Sequence, residues 1–125
     1  MQANPQALPV SPVMEGSDMP EPEPFTLQWS ELEAYLQDHP GARLVDVREA
    51  VEHHAGGGVT HGPWTAINAP ASLMMSGSPQ WSEACLGPAV LVCRSGNRSL
   101  RLARWLQSQG YTAVRHVHGG LALRP

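Results

Sequence analysis

The stretch Ala89-Val90-Leu91-Val92-Cys93-Arg94-Ser95-Gly96-Asn97-Arg98-Ser99 decides the fold. Its first four residues form an unbroken apolar run between Gly87-Pro88 and a glycine-containing loop, the pattern of a strand buried on both faces, as in parallel sheets. Beyond the loop, Leu102, Ala103, Trp105 and Leu106 fall on one helical face within Ser99 to Gln109, and Gly110 is placed as a C-terminal cap. Strand, loop and helix in succession put Cys93 at the C-terminal end of a buried strand, where open α/β sheets place their ligands.

Upstream, Leu44-Val45-Asp46-Val47 reads as another short strand, and Arg48 to His53 as one or two helical turns before the Gly56-Gly57-Gly58 loop. Earlier still, Ser30 and Glu33 form a capping box for a helix carrying Leu32, Tyr35 and Leu36 on one face. Trp29 packs at its start and Asp38-His39-Pro40-Gly41 stops it. Ala66-Ile67-Asn68 is a weak strand closed by Pro70, and residues 71–87 are irregular apart from a short helix near Trp81 to Ala84. Ala113 to Val117 is the last strand, and Gly119-Gly120 turns the chain after it. Strand and helix alternate, so the expected fold class is α/β, with a mainly parallel central sheet and helices on both faces.

Residues 1–24 hold Pro5, Pro9, Pro12, Pro20, Pro22 and Pro24 among acidic residues, with too little apolar surface to offset the entropy of ordering. They read as a disordered, extended arm, leaving 25–125 as one domain, which suits a chain of 125 residues. A formal charge of -3, with every positive residue an arginine, gives no basic field for nucleic acid. No run of about 18 apolar residues occurs and the start lacks a secretory pattern, so a cytoplasmic chain that avoids membranes is expected.

Gly96 and Asn97 let the loop after Cys93 curl with its amide N–H groups converging, and the helix that follows adds its positive end. A free cysteine titrates at about 8.5, and such surroundings lower it to roughly 3.5–7.5, so Cys93 is expected as a thiolate nucleophile near neutral pH.

These motifs together resemble the rhodanese homology domain over residues 25 to 121. The resemblance rests on Leu44-Val45-Asp46-Val47-Arg48-Glu49, on Ala66-Ile67-Asn68-Ala69-Pro70, on Val90 through Ser99, and on Gly110-Tyr111, Val114 and Gly119-Gly120 in the family's order. It implies a sulfurtransferase in which Cys93 takes a sulfane sulfur from thiosulfate or a persulfide, becomes a persulfide, and passes it to a thiol or cyanide. Arg94, Ser95, Gly96, Asn97, Arg98 and Ser99 would bind the donor through their amides, while Arg94 and Arg98 either hold the anion or point outward as solvated charges, Arg98 being the better placed. Asp46 and Arg48 are read as supporting residues, the carboxylate pairing with an arginine or capping a turn rather than serving as a base. The partners implied are a small anionic donor and a thiol or cyanide acceptor, with a sulfur-relay protein as a further acceptor; no cofactor and no metal are implied.

A sulfur carrier that loads without turning over is the alternative reading. A phosphatase of the same fold is disfavoured, because by resemblance such loops place five residues between Cys and Arg, and here Arg94 to Asn97 are four. His53, His54, His61, His116 and His118 lack metal-ligand spacing. Cys85 is a resolving thiol or an idle one, the second being favoured, and Trp29, Trp64, Trp81 and Trp105 are read as packing residues, with Trp64 lining the site mouth. The chain departs from the pattern in the glycine-rich Gly56 to Thr65 segment. It also ends at Leu121-Ala122-Leu123-Arg124-Pro125 without the family's last helix, which leaves part of one sheet face open.

Overall fold

The structure is a computed structural model that describes residues 24–76, 79–84 and 87–125. The expected arm lies almost entirely outside these residues, and so does Cys85. The buried run forms β6 (Ala89–Val92), the middle strand of a five-stranded sheet. It is flanked by β2 (Arg43–Asp46) and β7 (Val114–Val117), with β5 (Ile67–Asn68) and β1 (Thr26–Leu27) at the two edges, and every pairing is parallel. In register, Val45 faces Leu91 and Asp46 faces Val92, so the ends of β2 and β6 lie level.

Side chains alternate across these strands and build a core on each face. Val45, Ala89, Leu91, Cys93 and Val114 pack with Trp81 and Ala84 of α3 (Pro79–Ala84) and Ala103 and Leu106 of α4 (Asn97–Ser108). Leu44, Val90, Val92 and Val117 pack on the other face with Trp29, Leu32 and Leu36 of α1 (Trp29–Asp38). That second face is not open, as the short C-terminus suggested. Val90, Val92 and Val117 are wholly buried, and Val59 and Leu121 complete the cover.

Three further readings change. The helix α1 starts earlier than expected, with Gln28 as its cap: the Gln28 N–H donates to Glu31 Oε1 at 2.8 Å, so Ser30 lies inside the first turn. The glycine-rich departure contains a small antiparallel hairpin of β3 (Thr60–His61) and β4 (Trp64–Thr65), turned by Gly62-Pro63. Trp64 packs toward the α1 core, not at the site mouth, and Trp105 is 39% exposed; of the four tryptophans only Trp29 and Trp81 are buried, donating to the Gly120 and Pro70 carbonyls at 2.8 and 2.7 Å. At the end of α4 the expected Gly110 cap is present. Its φ is +97°, its N–H donates to the Gln107 carbonyl and that of Tyr111 to the Leu106 carbonyl, the paired bonds of a Schellman turn.

Connections after β2 lead toward β5 at one side, and the connection after β6 leads through α4 to β7 at the other. Between them, at the C-terminal ends of the strands, a crevice opens. The β2 side supplies Arg48 and α2 (Ala50–Gly56), and the β6 side supplies Cys93 and Arg94.

Candidate active site

Cys93 is the first residue after β6, and its thiol is wholly buried in its own loop. Gly96 has φ +95°, which turns the chain so that its N–H donates to Cys93 Sγ at 3.0 Å. A β-carbon at that position would also lie 2.9 Å from the Gly119 nitrogen, so no other residue fits without movement. The Ser99 N–H, in the first turn of α4, donates to the same sulfur at 3.4 Å, and the Ser99 hydroxyl oxygen lies 3.5 Å from it. Burial pushes the Cys93 thiol up, but the Ser99 hydroxyl and the amides of Ser99, Gly96 and Ser95 outweigh it and hold the thiol below its ordinary value.

Behind Ser99 lies a residue that the sequence reading only set aside as a metal ligand. His116 is buried on β7 with Nδ1 at 3.2 Å from Ser99 Oγ and Nε2 at 3.1 Å from Thr26 Oγ1. The Gly119-Gly120 pair, read as a simple turn, closes the loop from below. Leu121 N–H donates to the Cys93 carbonyl and Ala122 N–H to the Arg94 carbonyl, each at 2.8 Å. At Gly120, with φ +60°, a β-carbon would fall 2.3 Å from the Cys93 oxygen.

The cations are placed unequally. Arg94 is exposed, and its guanidinium has no hydrogen-bond or ion-pair partner among the described residues. Arg98 makes a two-pronged pair with Glu52 of α2, Nη1 to Oε1 at 2.6 Å and Nη2 to Oε2 at 3.0 Å. That fork, read as the better anion holder, is thus engaged across the crevice. Glu52 is held down to about 2 by the Arg98 fork and by the Glu49 N–H, so it remains ionised. Asp46 and Arg48, expected to support the site, pair with each other. Buried Asp46 accepts Arg48 N–H, Nε and Nη2 at 2.9 to 3.0 Å, and His53 Nδ1 stands 2.8 Å from it. Burial works against its charge, but these bonds win and lower its pKa. Ser95 and Asn97 are exposed on the rim of the loop.

A cleft of about 680 Å³ occupies the crevice, lined by Arg48, Glu52 and Arg94 and by the apolar Val51, Ala55, Leu121 and Ala122. Cys93 is not on its wall. Its neighbour Arg94 is, so the cleft adjoins the loop and the thiol lies behind it. Among the described residues no His, Cys, Asp and Glu side chains converge as a metal site, and no helix is long and apolar enough to cross a membrane.

The rhodanese-like domain, as a sequence family, matches residues 28–123, nearly the whole described chain. The chain belongs to the rhodanese-like domain family. A human single-domain sulfurtransferase is 27% identical, with 78% of this chain and 92% of that one superposed at a TM-score of 0.59. A rhodanese homolog from the extremely thermophilic bacterium Thermus thermophilus is 29% identical, covering 77% of this chain and 95% of that one at a TM-score of 0.54. In sequence, the chain is similar to a tRNA uridine(34) hydroxylase of Synechococcus sp. (strain CC9605), 26% identical over 95 residues. The match covers 69% of this rhodanese-like chain and 27% of the hydroxylase, so the chain spans about a quarter of that relative's length.

Proposed function

We propose that this rhodanese-like domain is a sulfurtransferase that moves a sulfane sulfur from thiosulfate or a persulfide donor to a thiol or cyanide acceptor through a persulfide on Cys93. The observation that carries the reading is the cradle around Cys93 Sγ, where the Gly96 and Ser99 amides and the Ser99 hydroxyl converge on one sulfur at 3.0 to 3.5 Å. Such fixed dipoles support an anionic sulfur without reorganising when it forms.

With thiosulfate, the Cys93 thiolate attacks the outer sulfur, the Cys93 S–S bond forms as the donor's sulfur–sulfur bond breaks, and sulfite departs with the bonding pair. Cyanide or a thiolate then attacks the outer sulfur of the Cys93 persulfide, and the Cys93 thiolate is regenerated as leaving group. Arg94, Ser95, Gly96, Asn97, Arg98 and Ser99 shape the loop in this reading, with Arg94 supplying the free cation. The formal charge of -3 speaks against tRNA as a ligand of this chain, whatever its hydroxylase relative acts on.

Zero exposure of Cys93 favours one second reading, a carrier loaded by a protein partner that turns over slowly with small acceptors. Steady-state transfer from thiosulfate and from a persulfide to cyanide and to a thiol separates the two, with Cys93→Ser as control. An enzyme gives multiple turnovers that Cys93→Ser abolishes while the folded chain persists, because the hydroxyl is nearly isosteric but forms no comparable anion. A single stoichiometric loading points to the carrier, and full activity in Cys93→Ser contradicts both.

A further inference from the structure

The crevice presents an anionic donor with far less positive charge than its arginines suggest. Arg98 is bound in a fork by Glu52, and Arg48 spends its donors on Asp46 and on the Gly57 and Glu52 carbonyls. Arg48, Arg94 and Arg98 are balanced by Asp46, Glu49 and Glu52, and the Cys93 thiolate adds a further negative charge; His53 stands on Asp46. Of these three arginines, only Arg94 has a side chain that is unengaged among the described residues. The rest of the cleft wall is apolar, made by Val51, Ala55, Leu121 and Ala122.

Resting on the sulfur-transfer reading above, we propose that the donor is an organic persulfide, R–S–SH, whose apolar R group occupies this cleft, and that Glu52 selects it over thiosulfate by neutralising Arg98. The cleft, at about 680 Å³, is roomy for a ligand with an organic group and far larger than thiosulfate needs. Thiosulfate brings two negative charges toward a thiolate, and in a crevice with a balanced rim the repulsion has only Arg94 and the loop amides to oppose it. The persulfide reaction avoids this. The Cys93 thiolate attacks the outer sulfur of R–S–SH, the donor's S–S bond breaks, and R–S⁻ leaves with the bonding pair. The outer sulfur stays on Cys93 with its proton as Cys93–S–SH, with one negative charge on each side and no net oxidation. Glu52 is well placed to be a fixed selector, since its Oε1 also accepts the Glu49 N–H at 2.9 Å and so is anchored at the start of α2.

The test measures the rate of sulfur loading onto Cys93 of the full chain from ethyl persulfide and from thiosulfate. Each is normalised to the same donor reacting with a free low-molecular-weight thiol, which removes intrinsic reactivity. The expected normalised preference for ethyl persulfide is roughly tenfold or more. In Glu52→Gln, where the amide oxygen still accepts the Glu49 N–H, the ratio should move toward thiosulfate by about five- to tenfold, and thiosulfate loading should become more sensitive to salt. In Val51→Asn, at a position 73% exposed and so tolerant of substitution, the apolar wall becomes polar without a change of charge, and the ratio should also fall as ethyl persulfide loading drops. A normalised preference for thiosulfate in the natural chain overturns the proposal. So does an unmoved ratio in Glu52→Gln, or, if that variant does not fold, in Val51→Asn. Loading from neither donor is a different result, since it removes the sulfur-transfer reading itself.

Discussion

Cys93 combines two properties that ordinarily oppose each other, complete burial and a depressed pKa, because each donor aimed at its sulfur comes from the seven-residue loop that buries it. Ser99 gives one of those donors, its amide, and its hydroxyl oxygen lies 3.5 Å from the same sulfur, so removing the hydroxyl isolates its share. In Ser99→Ala the midpoint of Cys93 alkylation against pH should move upward, and sulfur loading at pH 7 should fall roughly tenfold, the equivalent of about 1.4 kcal/mol. An unchanged midpoint would show that the amides alone hold the thiolate. The same depressed value fixes a sign for stability. The thiolate's contribution is complete above the free-cysteine pKa of about 8.5 and is lost as pH falls through the lower folded value. Residue identity made Cys93, Gly96 and Ser99 legible in the sequence, since they share one loop. Glu52 and His116 were not legible, because Glu52 meets Arg98 from 46 residues away and His116 meets Thr26 from 90. No local spacing encodes such pairings.

At the scale of elements, the buried strand β6 and the helix α4 carry patterns strong enough to read, and both stand within two residues of where periodicity puts them. The two-residue β1 has no pattern of its own and exists through its pairing with His116 and Val117 of β7. Likewise, the start of α1 is set by which carboxylate reaches back to a cap, and Glu31 reaches Gln28 where Ser30 and Glu33 offered an equally good signature. The final 3₁₀ turn, Gly120–Leu123, is the least expected element with a role. It ties down the Cys93 and Arg94 carbonyls, and its Leu121 packs against the core that holds Val92 and Val117. Gly120→Ala should therefore act on the loop as well as on the turn. With a β-carbon 2.3 Å from the Cys93 oxygen and a positive φ, it should cost about 2–4 kcal/mol in chemical denaturation and slow Cys93 loading in the protein that remains folded. Stability and loading equal to the natural chain would contradict the close packing.

For the molecule as a whole, the parallel sheet and its two cores were legible because each strand near the centre places apolar residues on both faces, and Cys93 was located by being at the end of β6, the one that is apolar throughout. The crevice was not, because it is made where connections from β2 and β6 part to opposite sides, a property of strand order that no single segment contains. The geometry of the loop converges on one atom, Cys93 Sγ. The central claim is that this atom carries the transferred sulfur. The most direct measurement is intact-protein mass spectrometry after incubation with a persulfide or thiosulfate donor, followed by peptide mapping. One added sulfur atom, located on the peptide containing Cys93 and removed by cyanide or a thiol, is the predicted result. No added sulfur from either donor, or sulfur that maps to Cys85 and persists in Cys93→Ser, would contradict it.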